Sequence, residues 1–193
     1  MLRRNLLAVA AAFALLPFGA QASEPPADAP QLVIEVAGQA NGTIRIALRP
    51  DLAPLHVERV MTLAEEGAYD GVVFHRVIDG FMAQTGDVQF GRAGGDTARA
   101  GMGGSELPDL PAEFSDEPFV AGVMGMARSR NPNSANSQFF LMFDAAPHLN
   151  GQYTVLGQVV EGMDVLEAIK RGEGPNGAMI GDADVMVSVS VVP

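Results

Sequence analysis

Few side chains in this sequence are suited to covalent or metal chemistry. It contains no cysteine and three histidines, His56, His75 and His148, and these are not spaced as in metal-binding sequences such as His-Glu-x-x-His. No Gly-x-Ser-x-Gly sequence is present to position a nucleophilic serine. We therefore expect neither a metal nor another cofactor. A carboxylate pair for glycoside chemistry stays open, because with 23 Asp and Glu residues some pair will be close in space.

One arginine lies in an unusual setting. Arg76 falls in the run 72–78, Val-Val-Phe-His-Arg-Val-Ile, whose composition is typical of a strand. In a regular strand Arg76 would share a face with Phe74 and Ile78, where it could still pair with a carboxylate or extend to the edge. A second segment, 137–142, places an amide beside aromatic residues. Together the two segments predict an apolar cleft with a few fixed hydrogen-bonding groups, which is the general form of a binding site.

His75 is the neighbour of Arg76 and is a candidate for acid–base chemistry. Successive side chains of a strand point to opposite faces, so His75 is expected to face away from Arg76. A structural role is therefore favoured for His75, and we do not include it among the catalytic residues.

These residues must be carried by short strands and few helices. The apolar residues Val57, Val60, Met61 and Ala64 have the spacing of one helix face, and a second short helix is predicted at 163–170. Strands are predicted at 32–36, 43–48, 72–78, 81–84, 120–126, 139–142, 154–160 and 184–192. Because helices do not alternate with the strands, the pattern favours an antiparallel barrel or sandwich covered by two helices.

The first 22 residues have the organisation of a secretory signal peptide. Arg3 and Arg4 precede an apolar run at 6–18, and Ala20-Gln21-Ala22 provides the small residues of a cleavage site. The run is shorter than the roughly 20 residues of a membrane-spanning helix. We predict cleavage after Ala22 and a periplasmic or secreted location, by either general or twin-arginine export.

Composition predicts the domain organisation of the chain that follows the signal peptide and excludes some functions. Residues 23–31 are rich in proline and are predicted to form a flexible leader before a single domain at 32–193. The chain of 193 residues is 48% hydrophobic with a net charge of −11, which supports a packed core and disfavours nucleic-acid binding. No membrane association is expected after signal removal, and without an interface signal a monomer is the default expectation. The glycine-rich stretch 91–108 lacks the Gly-Lys-Ser/Thr ending of a phosphate-binding loop and is predicted to be a surface loop.

Two segments carry a resemblance to a known family. The run from Tyr69 to Asp87 contains Phe-His-Arg followed by Gly-Phe-Met-Ala-Gln-Thr-Gly-Asp, and Met126-Ala127 is followed by Ser-Gln-Phe-Phe at 137–140. Both resemble the signature regions of the cyclophilin-type peptidyl-prolyl cis-trans isomerases. The similarity extends over almost all of 32–192.

The resemblance implies a fold and a site. The fold would be mainly β, a closed eight-stranded antiparallel barrel capped by two α-helices, with the site on its outer surface. Arg76 would be the catalytic residue and Gln84 its polar partner in the site. The residues that would bind the substrate are Phe81, Met82, Ala127, Ser129, Gln138, Phe140, His148, Leu149 and Tyr153.

The implied function is acceleration of X-Pro isomerisation during the folding of exported proteins, with unfolded or partly folded Pro-containing polypeptides as partners. No bond is broken in this reaction, so the paucity of nucleophiles and metal ligands is consistent with it. An alternative is a binding module or chaperone that holds Pro-containing segments and turns them over only incidentally. A barrel that binds a small ligand such as a sugar has only the acidic composition in its favour.

The sequence departs from the family pattern at two positions of the implied site. His148 stands where many members carry tryptophan, which argues against tight binding of the cyclic peptide cyclosporin while leaving turnover plausible. Arg128 stands where asparagine is frequent. We therefore expect this chain to differ from other members in how it binds the peptide backbone and in which residues it prefers before proline.

Overall fold

The computed structural model describes residues 21–193, so the predicted signal peptide lies almost entirely outside the described residues. This part of the chain is mainly β, with two α-helices. The strands of residues 21–193 are β1 (Gln31–Ala37), β2 (Gly42–Leu48), β3 (Val72–Val73), β4 (Arg76–Ile78), β5 (Met82–Thr85), β6 (Val123–Met126), β7 (Phe139–Met142), β8 (Val155–Glu161) and β9 (Val185–Val192). The helices are α1 (Pro54–Glu65) and α2 (Met163–Ala168).

The described strands form one nine-stranded antiparallel sheet in the order β3-β9-β1-β2-β8-β6-β7-β5-β4. The strands at its two edges, β3 and β4, are separated in sequence only by Phe74 and His75, so the sheet must curl to bring its edges together. Within residues 21–193 no ladder joins β3 to β4. The structure therefore shows a curled nine-stranded half-barrel and does not confirm the closed eight-stranded barrel.

The physical reason for the extra strand is a break in the predicted strand 72–78. β3 pairs with β9, whereas β4 pairs with β5, and Phe74 and His75 between them belong to neither ladder. Because of this break, side chains do not alternate regularly between the two faces of the sheet. Phe74 and Val77 are three positions apart, yet both lie in the main core. Phe74 therefore does not share a face with Arg76, contrary to the expectation from a regular strand.

Two apolar clusters explain why strand β7 shows no alternation in sequence. Phe139 and Leu141 point into the main core inside the curled sheet, whereas Phe140 and Met142 join a second cluster on its outer face. Both faces of β7 are thus covered, which is the condition for an uninterrupted apolar strand. The second cluster provides the apolar base on which the candidate site is built.

The two helices lie where the sequence predicts them. Helix α1 begins at Pro54, which is suited to a first helical turn because its missing N–H would be unpaired there. It buries Val57, Val60 and Leu63 against the main core. Helix α2 follows Gly162, whose φ of 87° lies in the left-handed region, and is two residues shorter than the predicted range 163–170. Among residues 21–193, no helix is both long enough and apolar enough to cross a bilayer.

Candidate active site

The candidate site begins with a row of residues across four neighbouring strands. Arg76 of β4 is opposite Gln84 of β5, and Gln84 is in turn opposite Phe140 of β7. Gly125 of β6 is opposite Phe140 on its other side. The ladder register therefore places a cation, an amide and an aromatic ring side by side on the outer face of the sheet.

Neutral oxygen atoms orient the guanidinium of Arg76. Nη1 donates to Gln84 Oε1 at 3.0 Å, Nε donates to the backbone oxygen of Asn176 at 3.0 Å, and Nη2 donates to Asn176 Oδ1 at 3.1 Å. Among the described residues, no carboxylate lies within ion-pair distance of Arg76. Arg76 is half-buried, and burial lowers the pKa of its guanidinium. The site thus presents a fixed positive charge that no neighbouring anion neutralises.

The orientation of the neighbouring amides follows from this cation. A guanidinium can only donate, so Gln84 must turn its oxygen toward Arg76 and its amino group away. Gln84 Nε2 donates to Gln138 Oε1 at 2.9 Å, and Gln138 Nε2 donates to the backbone oxygen of Gly103 at 2.8 Å. The relay from Gly103 through Gln138 and Gln84 therefore fixes Arg76 from one side.

The loop that supplies Gly103 is held by one buried carboxylate. Asp87 Oδ2 accepts from the backbone N–H groups of Gly101 at 2.7 Å and Gly103 at 2.9 Å. Its Oδ1 accepts from Gln89 and Phe90. The Asp87 side chain therefore ties the glycine-rich loop to the end of β5, next to the amide relay.

A cavity of about 450 Å³ opens over this row. All but two of the predicted site residues line it: Arg76, Phe81, Met82, Gln84, Ala127, Phe140, His148, Leu149 and Tyr153. Arg128 and Gln152 complete the wall. The structure thus brings together residues from distant parts of the sequence.

The apolar floor of the cavity is a set of stacked rings. Phe140 stacks on Phe119 with centroids 5.8 Å apart, and Tyr153 meets Phe140 edge to face at 5.8 Å. Gly125 makes this stack possible, since a Cβ there would overlap the rings of both Phe119 and Phe140. Phe81 and His148 face each other at the rim with centroids 5.7 Å apart. The floor can grip a small apolar ring.

The remaining two predicted residues, Ser129 and Gln138, line a smaller adjoining cavity of about 150 Å³. Arg128 borders both cavities. Its guanidinium lies 4.3 Å from the centroid of the Tyr153 ring and donates to the backbone oxygens of Ser129 and Gln152, both at 2.9 Å. Arg128 is therefore a fixed wall between the two cavities.

His75 lines a different cavity, of about 640 Å³, together with segments 93–100 and 178–185. Its side chain is buried, and burial lowers its pKa to about 4. Neither of its ring nitrogens has a hydrogen-bond partner in the described part of the chain. His75 therefore contributes nothing directly to the cavity that Arg76 lines.

Sequence reasoning missed Asn176, although it makes two of the hydrogen bonds that hold Arg76. Asn176 is 100 residues away in sequence and has a φ of 56°, which asparagine tolerates better than most residues. Its setting, Gly174-Pro175-Asn176-Gly177, marks a turn. Nothing in that turn signal indicates which residue the asparagine contacts.

Comparison with known proteins adds to this geometry. A family model described as Cyclophilin type peptidyl-prolyl cis-trans isomerase/CLD matches residues 32–191 of this chain. A Brucella suis protein named "Probable peptidyl-prolyl cis-trans isomerase" is 60% identical over 179 residues, which cover 91% of this chain and 90% of that protein. A Synechococcus elongatus protein named "Peptidyl-prolyl cis-trans isomerase" is 37% identical over 134 residues, covering 68% and 85% of the two chains.

Solved structures share the fold. A cyclophilin from Hirschia baltica is similar over 82% of this chain and 72% of its own, with a TM-score of 0.67 and 28% identity. A cyclophilin type peptidyl-prolyl cis-trans isomerase from Cryptosporidium parvum, crystallised in the presence of the dipeptide Ala-Pro, is similar over 84% of this chain and 99% of its own. Its TM-score is 0.70 and its identity 23%, so this second likeness concerns the fold.

Proposed function

The chain belongs to the cyclophilin-type peptidyl-prolyl cis-trans isomerases, and we propose that it accelerates X-Pro isomerisation in exported proteins by a hydrogen bond from Arg76 to the prolyl nitrogen. The isomerase activity is that of the family. The role of Arg76 rests on the observation that its guanidinium is fixed on the apolar cavity by neutral acceptors alone.

The barrier to be lowered is that of amide rotation. The X-Pro amide resists rotation by about 18–20 kcal/mol because the nitrogen lone pair is delocalised into the carbonyl group. In the twisted transition state the lone pair is localised on nitrogen and can accept a hydrogen bond, whereas in either planar ground state it cannot. A donor aimed at this nitrogen therefore stabilises the transition state selectively.

Arg76 has the properties of such a donor. Its guanidinium remains protonated, is planar, and is already oriented by Gln84 and Asn176 before a peptide binds. A preorganised donor of this type is worth about 3 kcal/mol of barrier. An acceleration of roughly 10⁴-fold requires about 5.4 kcal/mol, so the cavity must supply the rest by removing the amide from water and gripping the ring.

The apolar part of the cavity is suited to the proline ring. Met82 and Phe140 are almost fully buried, and Leu149 lies with them in the second apolar cluster. Phe81 lies at the rim of the same cavity. The Ala-Pro dipeptide named with the Cryptosporidium parvum relative is a ligand of the chemistry that this pocket would accept. We therefore propose Pro-containing polypeptides as the substrates.

The proposed cellular role is the folding of exported proteins in the periplasm or outside the cell. The support is the organisation of the first 22 residues, with a basic start, an apolar run and an Ala-Gln-Ala ending. Slow X-Pro isomerisation limits the folding of many chains, and a catalyst located with the exported clients would remove that delay.

The decisive experiment measures cis–trans exchange of a short X-Pro peptide by NMR line shape, with residues 23–193 and with Arg76→Ala. We expect the variant to lose about 10²- to 10³-fold in kcat/KM while still binding the peptide. Arg45→Ala is the matched control, since it removes a guanidinium from an exposed pair with Glu161. Exchange that is unchanged in Arg76→Ala would overturn the mechanism.

The alternative, a binding module with incidental turnover, is tested by complementation in cells. If Arg76→Ala rescues a deletion phenotype while Phe140→Ala does not, then peptide binding is the function and catalysis is not required. Failure of both variants to rescue supports catalysis.

A further inference from the structure

The residue that follows the predicted cleavage site makes an unusual contact. The backbone nitrogen of Ser23 donates to Glu117 Oε1 at 2.5 Å, and its hydroxyl donates to Glu117 Oε2 at 2.6 Å. One residue therefore engages both oxygens of one carboxylate. The two residues are 94 positions apart, so this contact is a product of the tertiary fold.

Arg49 and Asp51 complete this cluster, but they are already matched to each other. Arg49 donates from Nε and Nη2 to the two carboxylate oxygens of Asp51, at 2.8 and 2.7 Å. This pairing raises the pKa of Arg49 and lowers that of Asp51, in both cases chiefly through the side-chain hydrogen bond between them. Arg49 Nη1 donates to the Ser23 hydroxyl at 2.8 Å and is 4.0 Å from Glu117 Oε2. Within residues 21–193, the cation that Glu117 meets is therefore this guanidinium, at the limit of ion-pair distance and already paired with Asp51.

The charge balance of the cluster points to a missing positive group. It contains two carboxylates, those of Asp51 and Glu117, and one guanidinium, that of Arg49. The side chain of Glu117 is only 10% exposed, so water compensates little of its charge. A cation at the Ser23 nitrogen would neutralise the cluster.

We propose that this cluster is a binding site for the α-ammonium group that signal-peptide cleavage creates at Ser23. The inference rests on the proposed export of the chain. Hydrolysis of the Ala22–Ser23 amide by water leaves a carboxylate on Ala22 and an ammonium on the Ser23 nitrogen, the atom that already contacts Glu117. A neutral N–H donor then becomes a charged one, and a charge-assisted hydrogen bond is the stronger of the two.

The leader of the mature chain is fixed at its other end as well. The backbone N–H of Leu48 donates to the backbone oxygen of Pro30 at 2.8 Å, so the segment 23–30 is tied to the domain at both ends. Cleavage gives up the packing of Ala22 against the second apolar cluster, a contact of one small side chain. The new ion pair is expected to outweigh that loss.

The docked terminus lies close to the cavity floor. Glu117 precedes by two residues Phe119, whose ring stacks on Phe140, and the N–H of Phe119 donates to Asn150 Oδ1 at 2.8 Å. Processing would therefore strengthen the existing contact between Ser23 and the segment that carries this ring. The domain would therefore reach its full free energy of unfolding only after export and cleavage.

The test compares urea unfolding of residues 23–193 with that of residues 22–193, in which an amide again occupies the Ser23 nitrogen. At pH 7 we expect the shorter chain to have an unfolding equilibrium constant about five- to tenfold smaller, as for a charged hydrogen bond that is partly shielded from water. This difference should fall below about twofold in Glu117→Gln. It should also disappear as the pH is raised from about 8 to 10, where an α-ammonium loses its proton.

Glu24→Gln is the matched control, because it removes a neighbouring exposed carboxylate and should keep the full difference between the two lengths. Equal stability of the two chains, or the same difference in Glu117→Gln, would overturn the proposal. So would mass spectrometry of the exported protein that places its N-terminus anywhere other than Ser23. Isomerase activity of 23–193 is measured separately, so loss of the proposed catalytic function and loss of terminus binding remain distinguishable.

Discussion

At the scale of single residues, the site depends on a cation that is oriented without being neutralised. Arg76 donates to amide and carbonyl oxygens of Gln84 and Asn176, which direct its N–H groups but carry no charge. These bonds use three of the five guanidinium N–H groups and leave two for the prolyl nitrogen. A carboxylate in their place would also neutralise the charge that strengthens such a hydrogen bond. Neutral acceptors therefore fix the orientation of the Arg76 guanidinium while its positive charge stays available to the substrate.

Asn176 provides a test of this orientation. Asn176→Gly keeps the backbone oxygen and tolerates the positive φ, but it removes the Oδ1 acceptor of Arg76 Nη2. We expect kcat/KM to fall about 3- to 10-fold with little change in KM, since one hydrogen bond that orients the donor is lost. Asn41→Gly is the control, since Asn41 donates only to the backbone oxygen of Gly38 in an exposed turn away from the site. A rise confined to KM, with kcat unchanged, would show that Asn176 acts on substrate binding instead.

The rate should depend little on pH between about 6 and 8. Arginine does not titrate in this range, and burial lowers the pKa of His75 to about 4, so His75 is already neutral. NMR exchange rates measured across the range should agree within about twofold. A sigmoidal or bell-shaped change of the rate within this range would contradict this prediction.

At the scale of elements, the register of β4, β5, β6 and β7 determines which side chains share the outer face. The loop after β5 then supports that face, because Asp87 holds the backbone of Gly101 and Gly103 next to Gln138. The glycine-rich loop is thus part of the scaffold of the site, in addition to being a surface connection.

Asp87→Asn tests the contribution of this loop. Asn retains one acceptor oxygen but turns an NH₂ group toward backbone N–H donors, so at least one bond is replaced by a repulsive contact. We expect a loss of about 1–3 kcal/mol in the free energy of unfolding, measured with urea. We also expect a lower kcat/KM, because Gly103 no longer positions Gln138.

Asp96→Asn is the control for this change, since Asp96 accepts only from Ala98 in an exposed turn. A stable Asp87→Asn protein with unchanged kcat/KM would show that the amide relay orients itself without the loop.

At the scale of the whole molecule, two buried histidines couple global stability to pH. His56 and His75 are both buried, and in each case burial is the main cause that lowers the pKa of the imidazole. Glu113, whose carboxylate lies 2.6 Å from Nδ1 of His56, raises the pKa of His56, but burial lowers this pKa by more. Unfolding exposes both rings and returns them to their ordinary pKa.

Stability should therefore fall as the pH is lowered. Between the unfolded pKa of about 6.5 and the folded pKa of about 4 for His75, the unfolded chain binds more protons than the folded one. His75 contributes up to about 3 kcal/mol to the free energy of unfolding. This contribution is fully present above about pH 6.5 and is lost by about pH 4. Urea midpoints from pH 7 to 4 measure this, and His75→Gln should flatten the curve. An NMR titration placing the His75 pKa near 6.5 in the folded protein would contradict the prediction.

Much of the site is encoded in local sequence. The run with Phe-His-Arg and the segment 137–140 point to the family, and the resemblance indicates the candidate site residues, of which strand register makes Arg76, Gln84 and Phe140 neighbours on one face. Helix α1 and most strands follow from apolar periodicity for the same reason. Short-range pattern and backbone geometry suffice for these features.

Other features depend on contacts between distant parts of the chain, and only the tertiary structure decided them. The break at Phe74 and His75, which gives nine strands in place of eight, follows from pairing with two different partner strands. The contacts of Asn176 with Arg76 and of Ser23 with Glu117 join residues 100 and 94 positions apart. A turn or a leader can be recognised in sequence from its own residues, but the group that it meets depends on how the sheet curls.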